Sequence, residues 1–214
     1  MMPKSGPSRA ELIADGVIHA IGLALGLVGS VVLVVVAAMQ GSIRGLAPVM
    51  VYAICLLAML GCSAAYNIFK QSRHRPLLRR LDHAAIFAMI AGTYTPFTIL
   101  GLTGYWSWGL TAAVWSAAGL GIVAKLRRWR WPDWLWIPLY LVIGWLVVVA
   151  FGPLSNALAG LTLVLLAAGG VLYTIGVGFH LWERLKFQNA VWHGFVLLAA
   201  ATHYAAVVMV LAAP

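Results

Sequence analysis

The sequence predicts an all-α integral membrane protein: a bundle of seven transmembrane helices, N-terminus in the cytoplasm and C-terminus in the periplasm. Three observations carry this reading: an apolar composition, seven apolar runs of bilayer length, and bases confined to alternate loops. Of 214 residues, 63% are hydrophobic and 9% charged, with a mean hydropathy of +0.96. A soluble domain carries roughly 25% charged residues, and a chain this apolar could not cover its own outside with polar groups. The net charge of +9 does not indicate a nucleic-acid partner. The bases sit in short clusters between the apolar runs, as membrane-flanking charge does. Cys55 and Cys62 are the two cysteines and lie in one apolar run, which excludes a disulfide framework.

A bilayer core of about 30 Å asks for about 20 residues of helix at 1.5 Å per residue. The runs read as residues 16–39, 46–69, 82–102, 106–123, 134–151, 157–179 and 190–213. Residues 1–15 are polar and read as a short cytoplasmic segment, with 16–213 as a single transmembrane domain. The first run is longer than the roughly 7–15 apolar residues of a signal-peptide core, so it is expected to remain as the first span. Gly101, Gly104 and the Tyr105 and Trp106 pair divide the third run from the fourth. The fourth and fifth are the shortest. A β-barrel would need polar and apolar residues alternating in segments of about 10, and residues 31–38 show no alternation.

The bases set the orientation. Seven spans place the N-terminus and the loops after spans two, four and six on one side. That side collects Lys4, Arg9, Lys70, Arg73, Arg75, Arg79, Arg80, Lys125, Arg127, Arg128, Arg130, Arg184 and Lys186. Only Arg44 is left for the other. Positive loops stay cytoplasmic. Trp106 and Trp108 mark one interface, and Trp129, Trp131, Trp134 and Trp136 the other.

Ionisable groups inside spans cost at least about 2.5–3.5 kcal/mol at a helix centre, so each asks for a reason. Glu11, Asp15 and His19 recur every fourth residue on one stripe of the first helix, which continues as Gly22, Gly26 and Ser30. Small residues of this kind let helices approach closely. Span two ends with Ser63, Tyr66 and Asn67, span three opens with Asp82 and His83, and span seven opens with Asn189 and His193. Each group adjoins a cytoplasmic loop, so all lie at one depth. Two readings stand: interfacial capping, or a polar pocket among helices that opens to the cytoplasm. His203 lies about ten residues deeper and reads as a hydrogen-bonded packing histidine. His74 reads as a loop residue and His180 as an interfacial anchor beside Trp182.

On these residues the chain resembles the bacterial hemolysin III family, relatives of the progestin and adipoQ (adiponectin) receptors and, more distantly, of alkaline ceramidases. The resemblance runs from Glu11, Asp15 and His19 through Ser63-Ala-Ala-Tyr66 to Leu81-Asp82-His83-Ala-Ala-Ile-Phe87. It continues through Ala91-Gly-Thr-Tyr-Thr-Pro96, Gly169-Gly-Val-Leu-Tyr173, Trp192-His193-Gly-Phe195-Val196 and His203. The family pattern implies a cytoplasmic-side zinc site. One of its histidines comes from span two, four residues after a serine, and two come from span seven, four apart. An aspartate opening span three joins through the metal-bound water. Ser63, Asp82 and His193 match; the other two imidazole positions are Asn67 and Asn189. A neutral amide is a poor substitute for imidazole on zinc. The expectation is therefore no cofactor, with zinc as the alternative, held by Asp82 and His193 and helped by His83, His19 or Asp15.

The resemblance implies a multi-pass protein of the bacterial inner membrane that senses or adjusts membrane-lipid state without catalysis. Its polar pocket would hold membrane lipid or a lipid-like ligand, formed by Asp15, His19, Ser63, Tyr66, Asn67, Asp82, His83, Asn189 and His193. The alternative is a metal-dependent hydrolase of lipid amides, with Asp82 as base and Ser63 placing the carbonyl oxygen. A cytolytic pore is the third reading. Topology is open to direct measurement. Reporter fusions after Arg80 and Arg130 are expected to read cytoplasmic and one at the C-terminus periplasmic; a cytoplasmic C-terminus refutes seven spans.

Overall fold

The computed structural model describes residues 6–127 and 131–213; Lys4, Arg128, Trp129 and Arg130, named above, lie outside them. Helix α1 spans Arg9–Met39, α2 Ile43–Ile68, α3 Arg75–Pro96 and α4 Gly104–Leu126. A π-helical turn, Phe97–Gly101, prolongs α3. After a single 3-10 turn come α5 (Trp136–Gly144), a 3-10 stretch (Trp145–Ala150) and α6 (Phe151–Ala157), which together form the fifth span. Helices α7 (Gly160–Leu181) and α8 (Gln188–Ala212) complete seven helical segments long and apolar enough to cross a membrane. The chain is a multi-pass membrane protein.

Three boundaries depart from the hydropathy reading. Helix α1 begins at Arg9, so residues 9–15 belong to the first span rather than to a preceding segment. The cause is a capping box: the Glu11 N–H donates to Ser8 Oγ (3.3 Å) while the Ser8 N–H donates to Glu11 Oε2 (2.8 Å). Helix α3 begins at Arg75 rather than at 82, with Pro76 in its first turn, where a missing N–H costs nothing. Arg75, Arg79 and Arg80 thus project from helix, not from a loop.

The third departure is the fifth span, expected as one helix over 134–151 and built instead from three pieces. Tyr94 of α3 interrupts it. Its hydroxyl accepts the Val147 N–H (2.6 Å) and faces the carbonyls of Ile143 (3.1 Å) and Gly144 (2.8 Å). A side chain inserted into the i→i−4 ladder breaks a helix in this way. Trp136 also departs from the interfacial belt expected for it. It is 5% exposed, edge-on to Phe87, with Lys125 Nζ 3.7 Å above its ring, a cation–π arrangement that holds both side chains inside.

Adjacent helices α1–α2, α2–α3, α3–α4 and α7–α8 pack extensively, and α8 returns against α1. The fifth span packs sparsely on α3, α4 and α7. Lipid tails are as apolar as leucine, so close packing has to hold the helices together. The buried face of α1 is the stripe Asp15, His19, Gly22, Gly26, Ser30, Leu33 and Ala37. Between α2 and α3 the tight point is Gly92, where an added Cβ would stand 2.6 Å from Cys55 Cβ and 2.8 Å from its Sγ. A Cβ cannot swing aside. Gly92→Ala is therefore expected to cost about 1–3 kcal/mol, as overpacking does, read as a lower melting temperature in detergent. Gly61→Ala, which meets nothing within 4 Å, should match or exceed the parent.

Candidate functional site

Helical registers bring three titratable side chains to one point between the first and last spans. Asp15 and His19, one turn apart, lie on the buried face of α1. His193 comes from the second turn of α8, opposite them. His193 Nδ1 donates to Asp15 Oδ1 at 2.6 Å, and His19 Nε2 lies 3.7 Å from the same oxygen. The two imidazole rings stand 4.4 Å apart, centroid to centroid. His19 Nε2 is buried and has no hydrogen-bond partner. Lys70, past the end of α2, is close enough for its charge to act on Asp15 and His19.

A second carboxylate stands near His193: Asp82 of α3 has Ser63 and His193 as its polar neighbours. Aspartate, serine and histidine thus join α1, α2, α3 and α8 in one layer. The other expected members behave differently. Asn67 donates its amide to the Ser63 carbonyl of its own helix (3.0 Å). Asn189 is exposed, although it borders the cavity described next. His83 turns toward α4, its Nδ1 3.1 Å from Lys125 Nζ, and its carbonyl accepts the Tyr140 hydroxyl. Tyr66 lies under the Arg75 guanidinium, 5.5 Å from ring centre to carbon.

Asp82 and His193 of this layer border a cavity of about 900 Å³. Asn67, Asp82 and His193 line its polar end, whereas Met89, Phe97 and Leu154 line it further in. The sparse packing of the fifth span leaves this volume open. A smaller cavity of about 470 Å³ lies beside it, walled by Arg75, Arg79, Arg80 and Lys125 with Trp131 and Trp136.

Sequence reasoning missed two members of the large cavity and one tether. Tyr173 contributes a buried hydroxyl without a partner, and Tyr94 shapes the broken fifth span. Only the run in which each sits was noted, because an aromatic in an apolar helix gives no positional signal. His203 does hydrogen-bond, through Nε2 to the Leu166 carbonyl (3.2 Å), and it also borders the cavity. The tether is Glu11, whose Oε1 accepts the Phe187 N–H (2.9 Å). Phe187 holds a left-handed backbone, φ 57°, ahead of α8. His180 packs against Trp192, ring centres 5.1 Å apart, rather than against Trp182.

A family profile for haemolysin-III-related proteins matches residues 11–204. The chain belongs to the hemolysin III family. It is 37% identical over 194 residues to Hemolysin-3 of Bacillus cereus, covering 89% of this chain and 87% of that one. The Hemolysin-3 homolog of Bacillus subtilis (strain 168) is 35% identical, covering 91% of each. The human monocyte to macrophage differentiation factor is 27% identical over 163 residues, covering 73% of this chain and 67% of that one. That last match supports the relationship to the progestin and adipoQ receptors.

The residues present do not fit the zinc set of the hemolysin III pattern. Asn67 and Asn189 stand where imidazoles belong, the first tied to its own helix and the second exposed, so Asp82 and His193 remain alone. Asp82 instead belongs to the polar layer. Asp82→Ala is expected to destabilise the protein by about 1–3 kcal/mol, because its neighbours Ser63 and His193 lose a polar partner inside the bundle. Arg73→Ala, at an exposed turn, should change the melting temperature far less.

Proposed function

We propose that this hemolysin III-family protein is a non-catalytic protein of the bacterial inner membrane that senses or adjusts membrane-lipid state. It does so by holding a lipid-like molecule in the large cavity, with the polar layer facing the cytoplasm. The observation that carries this is the cavity itself: about 900 Å³, polar at one end and apolar beyond. Ligand sites run to roughly 300–1,000 Å³ and are mainly apolar with a few placed polar groups. An amphiphile matches that division, its headgroup at Asp82, Asn67 and His193 and its chain along Met89 and Phe97. The orientation rests on the bases, all but Arg44 falling on the side that carries this layer.

One feature supports a second reading, the hydrolysis of a lipid amide. Asp82 lines the cavity with His193 and has Ser63 as a neighbour, as a base and an orienting hydroxyl would. Asn67 and Asn189 weigh against it, because that chemistry would draw its nucleophile from a metal held by the family ligands.

Lipid extracted from the purified protein tests the first reading. Mass spectrometry should find one amphiphile class retained near one per chain. Ala167→Phe, which fills the cavity wall from α7, should release it without lowering the melting temperature of the lipid-free protein. Retention unchanged by Ala167→Phe, or turnover of a long-chain amide by the unmodified protein, would overturn the non-catalytic reading.

A further inference from the structure

The geometry points to a binding site for one divalent transition-metal ion of the zinc class, formed by Asp15, His19 and His193 between α1 and α8. The family's ligand set cannot supply such a site in this chain. These three residues draw two of their ligands from a helix to which that set assigns none. The inference does not rest on the lipid reading.

The donor set is right for the ion. Two imidazoles and one carboxylate is a ligand combination of zinc sites that keep a fourth position open. The donors are also close: one atom from each of Asp15, His19 and His193 lies within 4.8 Å of the others. Metal bonds of about 2.0–2.1 Å at tetrahedral angles place ligand atoms about 3.3 Å apart. The 3.7 Å between His19 Nε2 and Asp15 Oδ1 is within a few tenths of that. The 2.6 Å contact between His193 Nδ1 and Asp15 Oδ1 is a hydrogen bond. An ion would displace its proton, and the pair would open by about 0.7 Å, a small rotation of two side chains.

The independent sign is His19. Its side chain is about 5% exposed, and its Nε2 points at the other two donors while bonding to nothing. Buried polar atoms in native structures are nearly always partnered. An imidazole nitrogen held at ligand distance from a carboxylate and a second imidazole has an evident partner in a cation. One turn further on, Gly22 lets α1 approach Leu197 of α8, where an added Cβ would stand at 3.5 Å, so the two helices that carry the donors lie close together.

The surroundings complete the arrangement. Ligating histidines are commonly supported by a nearby carboxylate outside the ligand set, and Asp82 is near enough to His193 to interact with it electrostatically. His193 borders the large cavity, which gives an ion a route to the site.

The test uses the full-length protein, stripped with chelator in detergent and titrated with zinc alone, then with cobalt followed by its visible spectrum. One ion per chain should bind, with both imidazoles shifted in spectra of protein labelled with ¹⁵N-histidine. Asp15→Asn and His19→Gln should each weaken binding by at least about tenfold, since even outer partners are worth 10–100-fold. Asn67→Ala and Asn189→Ala should leave it unchanged. Added zinc should raise the melting temperature of the parent and not that of His19→Gln. No saturable uptake by the parent overturns the site, as does zinc that leaves the His19 ring nitrogens unshifted. Equal loss in Asn67→Ala would place the ion at the family position instead. The histidine spectra are read on the unmodified protein, so a variant that fails to fold does not blunt the test.

Discussion

A carboxylate buried in a membrane bundle has to be answered by another helix, and the contact between Asp15 and His193 does this at the seam where the first and last spans meet. An unpaired carboxylate among apolar helices is costly, so α1 and α8 are held in the one register that pairs these residues. Other polar contacts run along the same seam. Glu11 takes the Phe187 N–H beside the first turn, Tyr204 donates to the Gly29 carbonyl (2.9 Å), and Gln40 donates to the Leu211 carbonyl (3.2 Å) at the far end. Each is a bond between groups that lipid could not satisfy. Small residues between them, Gly22 against Leu197 and Gly29 against Tyr204, let α8 come close enough to α1 for the polar contacts to form. The seam between α1 and α8 is thus bonded at four points, and the polar layer lies at one of them.

The fifth span shows the opposite economy. Tyr94 takes hydrogen bonds that would otherwise join the turns of one helix, and the segment from Trp145 to Ala150 winds as 3-10 instead. The span contacts its neighbours sparsely, and the space left over is the large cavity. Extensive packing of α1–α2, α2–α3 and α7–α8 and sparse packing around the fifth span give the bundle a close-packed side and an open one. The polar layer is carried by the close-packed helices.

The sequence showed the number of spans, the buried stripe on α1 and the depth of the polar residues, because the bilayer imposes length, charge placement and cost on every segment. It did not show where helices begin when a cap decides it. Ser8 and Glu11 start α1 in polar sequence, and Pro76 starts α3 amid bases. Nor did it show partnership. Asp15 and His193 are 178 positions apart, and helical spacing says which face each occupies, not which face it meets. His83 adjoins Asp82 yet turns toward Lys125, because successive residues on a helix point about 100° apart, and Asn189 shares a face with His193 yet is exposed, one turn nearer the start of α8. Trp136 looked interfacial by type and is buried, since Lys125 gives its ring a cation to hold.

The two asparagines change the charge balance of the layer more than its shape. Asn67 and Asn189 keep hydrogen-bonding capacity and remove two groups able to carry positive charge. Asp15 pairs directly with His193, with His19 beside it, and Asp82 is near enough to the same imidazole to interact with it. Lys70 acts on Asp15 and His19 from the end of α2, while Arg75 and Arg79 stand at the rim beside Tyr66. Two carboxylates around one imidazole form a layer that attracts positive charge inward. The buried nitrogen left without a hydrogen bond lies beside Asp15, so the proposed ion site draws on α1, the helix on which this sequence places a carboxylate and an unpaired imidazole together.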